Sequence, residues 1–436
     1  MENARGDHIT IEVDALANEL KNTMRTTNLT MSPQRCIFKV PNILERHNPK
    51  AYAPNAFSIG PYHYGEEHLQ ATQKIKLKYL HDLVFSFEDP DTVLRTLIGA
   101  ISKVQQKARA CYGDPFDHIS APEFVKILVL DGCFLIQLFR KNADEKLQKD
   151  DDPVFTVSCM SQLLGHDLIL LENQIPWMVL ELLYDIITRK LEDPSVKSLN
   201  SLVLGYCRHT STIFGKFDAV IYPFLPGDRK SNKHILDLLR NSLVLPSSIK
   251  EKKSMVQEQT MPSATRLMEA GIRFNENTSQ KSILDIEFER TDGVLKIPPL
   301  AIHEDTESLF RNLICLEQCL PNCTPVVTCY AILLDNLINT TEDVELLCKS
   351  GIIDNHLNVD DAARVFNQLY DDAYIKEFYY EDLITDVDEY CKHNWPRYRA
   401  VLMRDYFKHP WAVVSVVAAT ILLILTFLQT FFTIKK

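Results

Sequence analysis

The sequence predicts a mainly α fold, with a multi-helix globular body, a small β-hairpin and one C-terminal transmembrane helix. Three observations predict it. Apolar residues recur at helical spacing through most of the chain, strand-like alternation occurs only around residues 283–297, and 24 uncharged, mostly apolar positions run from Trp411 before Lys435 and Lys436. As a helix that run spans roughly 36 Å, enough to cross a hydrocarbon core of about 30 Å.

The elements follow in chain order. Residues 1–33 read as an extension with a short amphipathic helix, because Leu16, Leu20 and Met24 recur every fourth position beside Val13 and Ala17; Thr26 to Pro33 reads as a linker. A helical body then covers 34–408. Ile75, Tyr79, Leu80, Leu83 and Val84 form one stripe, and Asp89-Pro90 caps a second helix carrying Leu94, Leu97, Ile98, Ile101, Val104 and Ala108, so the two should pair. Ser120 to Glu123 is a capping-box pattern opening a helix through Arg140 that is apolar on nearly every side and therefore central. A further apolar block, Val157 to Leu171, is halted by Glu172-Asn173-Gln174 and restarts after Pro176.

Periodicity weakens between Leu191 and Ser263, and the polar stretch around 246–262 reads as an exposed loop. Alternation from Ile283 to Phe288, a turn at Thr291-Asp292-Gly293 and the run Val294 to Ile297 predict a β-hairpin within about 282–298. Helices resume at Thr306, with Gly351 ending the one that starts near Val344. Residues 409–434 are the expected transmembrane helix and 435–436 a tail.

Charge gives the expected orientation. Lys392, Arg397, Arg399, Arg404 and Lys408 precede the apolar run, against Lys435 and Lys436 beyond it, so the positive-inside bias places the body in the cytosol of a tail-anchored, single-pass protein. Trp411, Phe431 and Phe432 would sit at the interfaces, and the terminal lysines would snorkel. The four sequons, at Asn28, Asn277, Asn322 and Asn339, would carry sugar only in the reversed topology. Eleven scattered cysteines read as reduced core residues, and a net charge of −11 without a long basic run argues against nucleic acid as a partner.

Several segments carry a resemblance: AYAPNAFSIGPYHYG (51–65), LDGCFLIQLFRK (130–141), DLILLENQIPWMVLE (167–181), PSATRLMEAGIRF (262–274), GVLKIPPLAI (293–302), TESLFRNLICLEQC (306–319), DNLINTTEDVELLCKSGII (335–353) and RDYFKHPWAVVS (404–415). In this order they closely resemble the plant "domain of unknown function 247" family. The resemblance implies a plant protein with a helical body, a C-terminal transmembrane helix and no established enzymatic activity; some grass members are associated with pollen-side self-incompatibility. Tyr64 stands where a second histidine is common and Trp177 where phenylalanine is.

Four residues are candidates for chemistry. His63, in an aromatic turn, could act as a base but more simply satisfies nearby backbone groups. Asp131 inside the central helix, with Asp167 and Glu172 bracketing an apolar run, could supply perturbed carboxyls; ion pairing, with Arg140 or Lys141 in the same helix system, explains them as well. Cys315, Cys319 and Cys323 are spaced too widely for a zinc hook and suit helix packing. The acidic run from Asp371 to Glu389 lacks a calcium-loop pattern and reads as a solvated face.

The sequence therefore points to a membrane-anchored recognition module that contacts lipid through its tail and an unidentified protein through the loop near 246–262, with no metal or cofactor. The alternative is a membrane-tethered hydrolase or transferase using the buried carboxylates.

Overall fold

A computed structural model describes residues 3–26, 34–191, 197–210, 232–245, 247, 260–278, 282–392 and 410–434. The chain divides into two compact units, Met1–Arg35 and Cys36–Lys436. The described residues of the first include the helix α1 (Asn3–Thr26), longer than its apolar stripe suggests, with Val13, Leu16, Leu20 and Met24 exposed.

In the second unit, α2 (Gln73–Val84) and α3 (Pro90–Arg109) lead into α4 (Ala121–Ala143). The caps act as their chemistry requires. Asp89 accepts from Thr92 N at 3.0 Å, and Ser120 Oγ accepts from Glu123 N at 3.3 Å. Because α4 is apolar all round, it can be buried all round. It packs against α2, α3, α6 (Trp177–Leu191) and α7 (Leu199–Thr210), with α5 (Met160–Leu168) below α7. Gly132 lets α6 approach, since a Cβ there would lie 2.4 Å from a Leu183 methyl.

Around this bundle pack α8 (Ile235–Val244), α9 (Ala264–Glu269), α10 (Thr306–Cys319), α11 (Val326–Leu337), α12 (Thr341–Lys349), α13 (Val359–Asn367) and α14 (Glu381–Lys392). Their apolar faces join the same core cluster as α4.

Two small sheets accompany the helices. β2 (Glu287–Glu289) and β3 (Val294–Ile297) pair antiparallel about Gly293, which adopts φ +63°, so the expected hairpin forms with strands shorter than the alternation suggests. Ile283 and Leu284 are both fully buried in the approach to it. The sequence reading misses the parallel partner β1 (Arg273–Glu276), which sets the order β1-β3-β2. It also misses β4 (Leu300–Ile302), which pairs in parallel with β5 (Ile353–Asn355). Strands of three or four residues give no alternation long enough to read.

The expected C-terminal transmembrane helix is corrected. Residues Pro410–Ile434 form a helix, α15, but no helix among the described residues is long and apolar enough to cross a membrane. Polar groups recur along α15: Thr426 and Thr430 return their hydroxyls to the carbonyls of Leu422 and Thr426, each at 2.8 Å. Of the anchor residues, Phe431 is exposed. The side chains of Trp411 and Phe432, and Arg397, Arg399, Arg404, Lys408, Lys435 and Lys436, lie outside the described residues.

Candidate functional site

Two of the four candidate catalytic groups, Asp167 and Asp131, bind the backbone of one turn, residues 55–66, and a third, His63, lies in it. Asp167, at the end of α5 and fully buried, accepts from Asn55 N at 2.6 Å, Ala56 N at 2.9 Å and Phe57 N at 2.7 Å. Asn173 continues the collar, accepting from Ile59 N at 2.6 Å and donating to Phe57 O at 2.9 Å. Asp131 completes it from α4, with Oδ2 accepting from Gly60 N at 2.8 Å and Oδ1 from Lys76 Nζ at 2.6 Å. Lys76 also donates to Ser58 O. Gly60 has φ +82°, and a Cβ there would meet Gln174 O at 2.4 Å, so the turn requires glycine on both counts.

Burial pushes the Asp131 carboxyl up, only partly offset by the Lys76 ammonium and the Gly60 N–H. Its cation is Lys76 from α2, rather than the Arg140 or Lys141 that the sequence offers. Lys141 is taken by another buried pair, to Asp152 at 2.6 Å, with Tyr79 OH on the second carboxylate oxygen at 2.7 Å.

His63 and Glu172 are the two candidates brought directly together, His63 Nε2 lying 3.6 Å from Glu172 Oε2. His63 Nδ1 pairs with Glu66 at 2.7 Å, and Glu172 Oε1 accepts from Val40 N at 2.6 Å. Burial raises the Glu172 carboxyl, against the Val40 N–H and His63. Each of the four groups thus has a structural partner of its own.

A second polar array escapes the sequence reading. His166 Nε2 lies 3.3 Å from Ser308 Oγ, and its Nδ1 lies 3.2 Å from Asp167 Oδ1 and 2.8 Å from the Asn55 amide. Ser308 is in the first turn of α10, 142 positions from His166, so no local spacing could reveal it. Cys315 and Cys319 share one face of α10 with sulfurs 4.0 Å apart, as helix spacing predicts.

A groove of about 530 Å³ lies between β2 and the start of α14. Asp285, Glu287, Glu289, Asp382 and Asp386 line it, with Lys296 paired to Glu289 at 2.8 Å and Arg290 to Asp386 at 3.4 Å, and Ile286, Phe288, Tyr379, Tyr380 and Leu383 supply its apolar surface. The T-shaped contact of Phe288 with Tyr390, centroids 5.5 Å apart, holds α14 to the hairpin. Tyr380 OH donates to Leu284 O at 2.7 Å from the other side. Part of the acidic run from Asp371 to Glu389 therefore forms a wall. Residues 248–259 of the expected recognition loop lie outside the described residues, but Ser247, at its start, donates to Asp285 Oδ1 at 2.7 Å.

A family model described as "DUF247: Plant protein of unknown function" matches residues 37–425. The chain belongs to this family. Two Arabidopsis thaliana proteins resemble this DUF247 chain. UPF0481 protein At3g47200 is 28% identical, over 91% of this chain and 85% of that protein; Putative UPF0481 protein At3g02645 is 24% identical, over 91% and 89%. No solved structure matches it. The matched region of this DUF247 chain contains both the buttressed turn and the groove.

Proposed function

We propose that this protein is a recognition module that binds a basic, extended segment of another protein in the groove between β2 and α14. The observation that carries the reading is the groove's composition: Glu287, Glu289, Asp382 and Asp386 and the rings of Phe288 and Tyr379 lie beside β2, whose outer edge pairs with no strand among the described residues. An extended peptide could add to that edge by main-chain hydrogen bonds while its Lys or Arg side chains meet the acids and stack on the rings. The partners of the four candidate groups support the same reading, because each serves the backbone or a counter-ion. Roles in self-incompatibility or signalling, which the resemblance to grass members implies, would be exercised through such a surface.

The test places a photo-crosslinking amino acid at Leu383 of the full chain and sequences the peptide captured in plant tissue. A captured Lys- or Arg-rich segment that is lost with Glu287→Lys and Asp382→Lys supports the proposal. Capture unchanged by the reversals, or no capture above a control position on α3, refutes it.

One specific observation favours a hydrolase as a second reading. With the Asn55 amide turned so that its NH2 no longer faces His166 Nδ1, Ser308, His166 and Asp167 stand in nucleophile, base and orienting order, and the three N–H groups on Asp167 would hold its carboxylate in place. Fluorophosphonate labelling of wild type but not Ser308→Ala supports this reading; absence of label removes it.

A further inference from the structure

The last turn of α10 gathers groups that join several elements. Glu317 accepts from Arg240 of α8 at 2.9 Å and from Val327 N and Thr328 N, at 3.1 and 2.8 Å, at the start of α11. Gln318 accepts from Tyr374 N at 2.9 Å. Flanking them are Cys315, buried, and Cys319, partly exposed, with sulfurs 4.0 Å apart.

Positions four apart on a helix have Cα atoms about 6 Å apart, inside the roughly 4.4–6.8 Å that a disulfide accepts, although the Cβ atoms must draw closer. Cys319 is the last residue of α10, where carbonyls no longer serve a following turn, so the backbone can tighten there. We propose that Cys315 and Cys319 are an oxidation site that closes reversibly into a disulfide on exposure to peroxide. Cys319 is the attacking group, being the more exposed of the two.

Its thiolate attacks one peroxide oxygen, the O–O bond breaks and hydroxide leaves, giving a sulfenic acid at Cys319. The Cys315 sulfur then attacks the Cys319 sulfur; the S–O bond breaks, and that oxygen departs as water with the Cys315 proton. Two thiols are oxidised, and one peroxide is reduced to two waters. A bond that must tighten a helical turn is easily reduced again, which suits a switch rather than a staple. Closing it shifts the turn bearing Glu317 and Gln318, and so loosens the junction of α8, α11 and the segment at Tyr374.

The experiment uses the full chain, reduced, treated with stoichiometric hydrogen peroxide, alkylated and read by tandem mass spectrometry. Expected are loss of alkylation at both Cys315 and Cys319, a fragment lighter by two hydrogens that spans them, and full recovery with thiol reductant. Cys315→Ser should leave Cys319 as a sulfenic acid that a second equivalent of peroxide takes to sulfinic acid, and Cys319→Ser should leave Cys315 alkylated as in untreated protein. Both thiols remaining alkylatable in wild type, or either linking instead to Cys323 or another cysteine, overturns the proposal.

Discussion

Lys76 and Asp131, 55 positions apart, meet in the core at 2.6 Å with almost no exposure of either side chain. The pair joins α2 to α4 and pins the 55–66 turn, because each partner also bonds its backbone, at Ser58 and Gly60. Removing one partner leaves a buried charge, so Lys76→Met should destabilise the fold by about 3–5 kcal/mol. Lys76→Met with Asp131→Leu should lose less than the sum of the single losses, though Gly60 N–H is left unpaired at a cost of about 1–3 kcal/mol. Urea unfolding of the double-mutant cycle measures this; additive losses would contradict the coupling.

Asp167→Ala should release the turn, since three amide groups lose their acceptor at once. The expected loss exceeds about 3 kcal/mol, and early proteolytic cleavage should appear near Asn55. Wild-type protection at that site in Asp167→Ala would show that packing alone holds the turn.

His234 makes part of the acid sensitivity. Its Nε2 donates to Cys36 O at 3.0 Å while Nδ1 accepts from Asp237 N at 3.3 Å, which fixes a neutral ring at the N-cap of α8. Burial lowers its pKa from 6.5 to about 4. The unfolded state then binds more protons in that interval, so this contribution is complete above pH 6.5 and is lost as pH falls toward about 4, by up to about 3 kcal/mol. His234→Asn keeps an N-cap acceptor without titrating, and its stability deficit relative to wild type should shrink across that window. A deficit constant with pH would disprove the assignment.

Gly293→Ala should damage the groove. A Cβ there would meet the Tyr390 hydroxyl oxygen at 2.1 Å and its ring carbon at 2.4 Å, and the φ of +63° costs a non-glycine residue roughly 1–2 kcal/mol. Basic-peptide affinity measured by fluorescence anisotropy should fall at least about tenfold, which is about 1.4 kcal/mol. Unchanged affinity in a folded variant would place binding elsewhere.

Much of the fold was legible because its signals are local. Asp89 and Ser120 cap the helices that their spacing announces, the all-apolar stretch in α4 is buried, and Gly293 turns the hairpin. β1 was not legible, since Arg-Phe-Asn-Glu carries no pattern and finds its parallel partner beyond an intervening segment. The apolar C-terminal run was legible as a helix, but no helix among the described residues is long and apolar enough to cross a membrane.

The residue pattern by itself settled that the chain is mainly helical, that Asp131 and Asp167 are buried, and that Cys315 and Cys319 share a helix face. Only the tertiary structure decided that Lys76 neutralises Asp131, that Asp167 holds the backbone of residues 55–57, and that β2 and α14 enclose an acidic groove. Periodicity reports which face of an element avoids water, whereas the partner waiting there is fixed by how elements distant in the chain pack together.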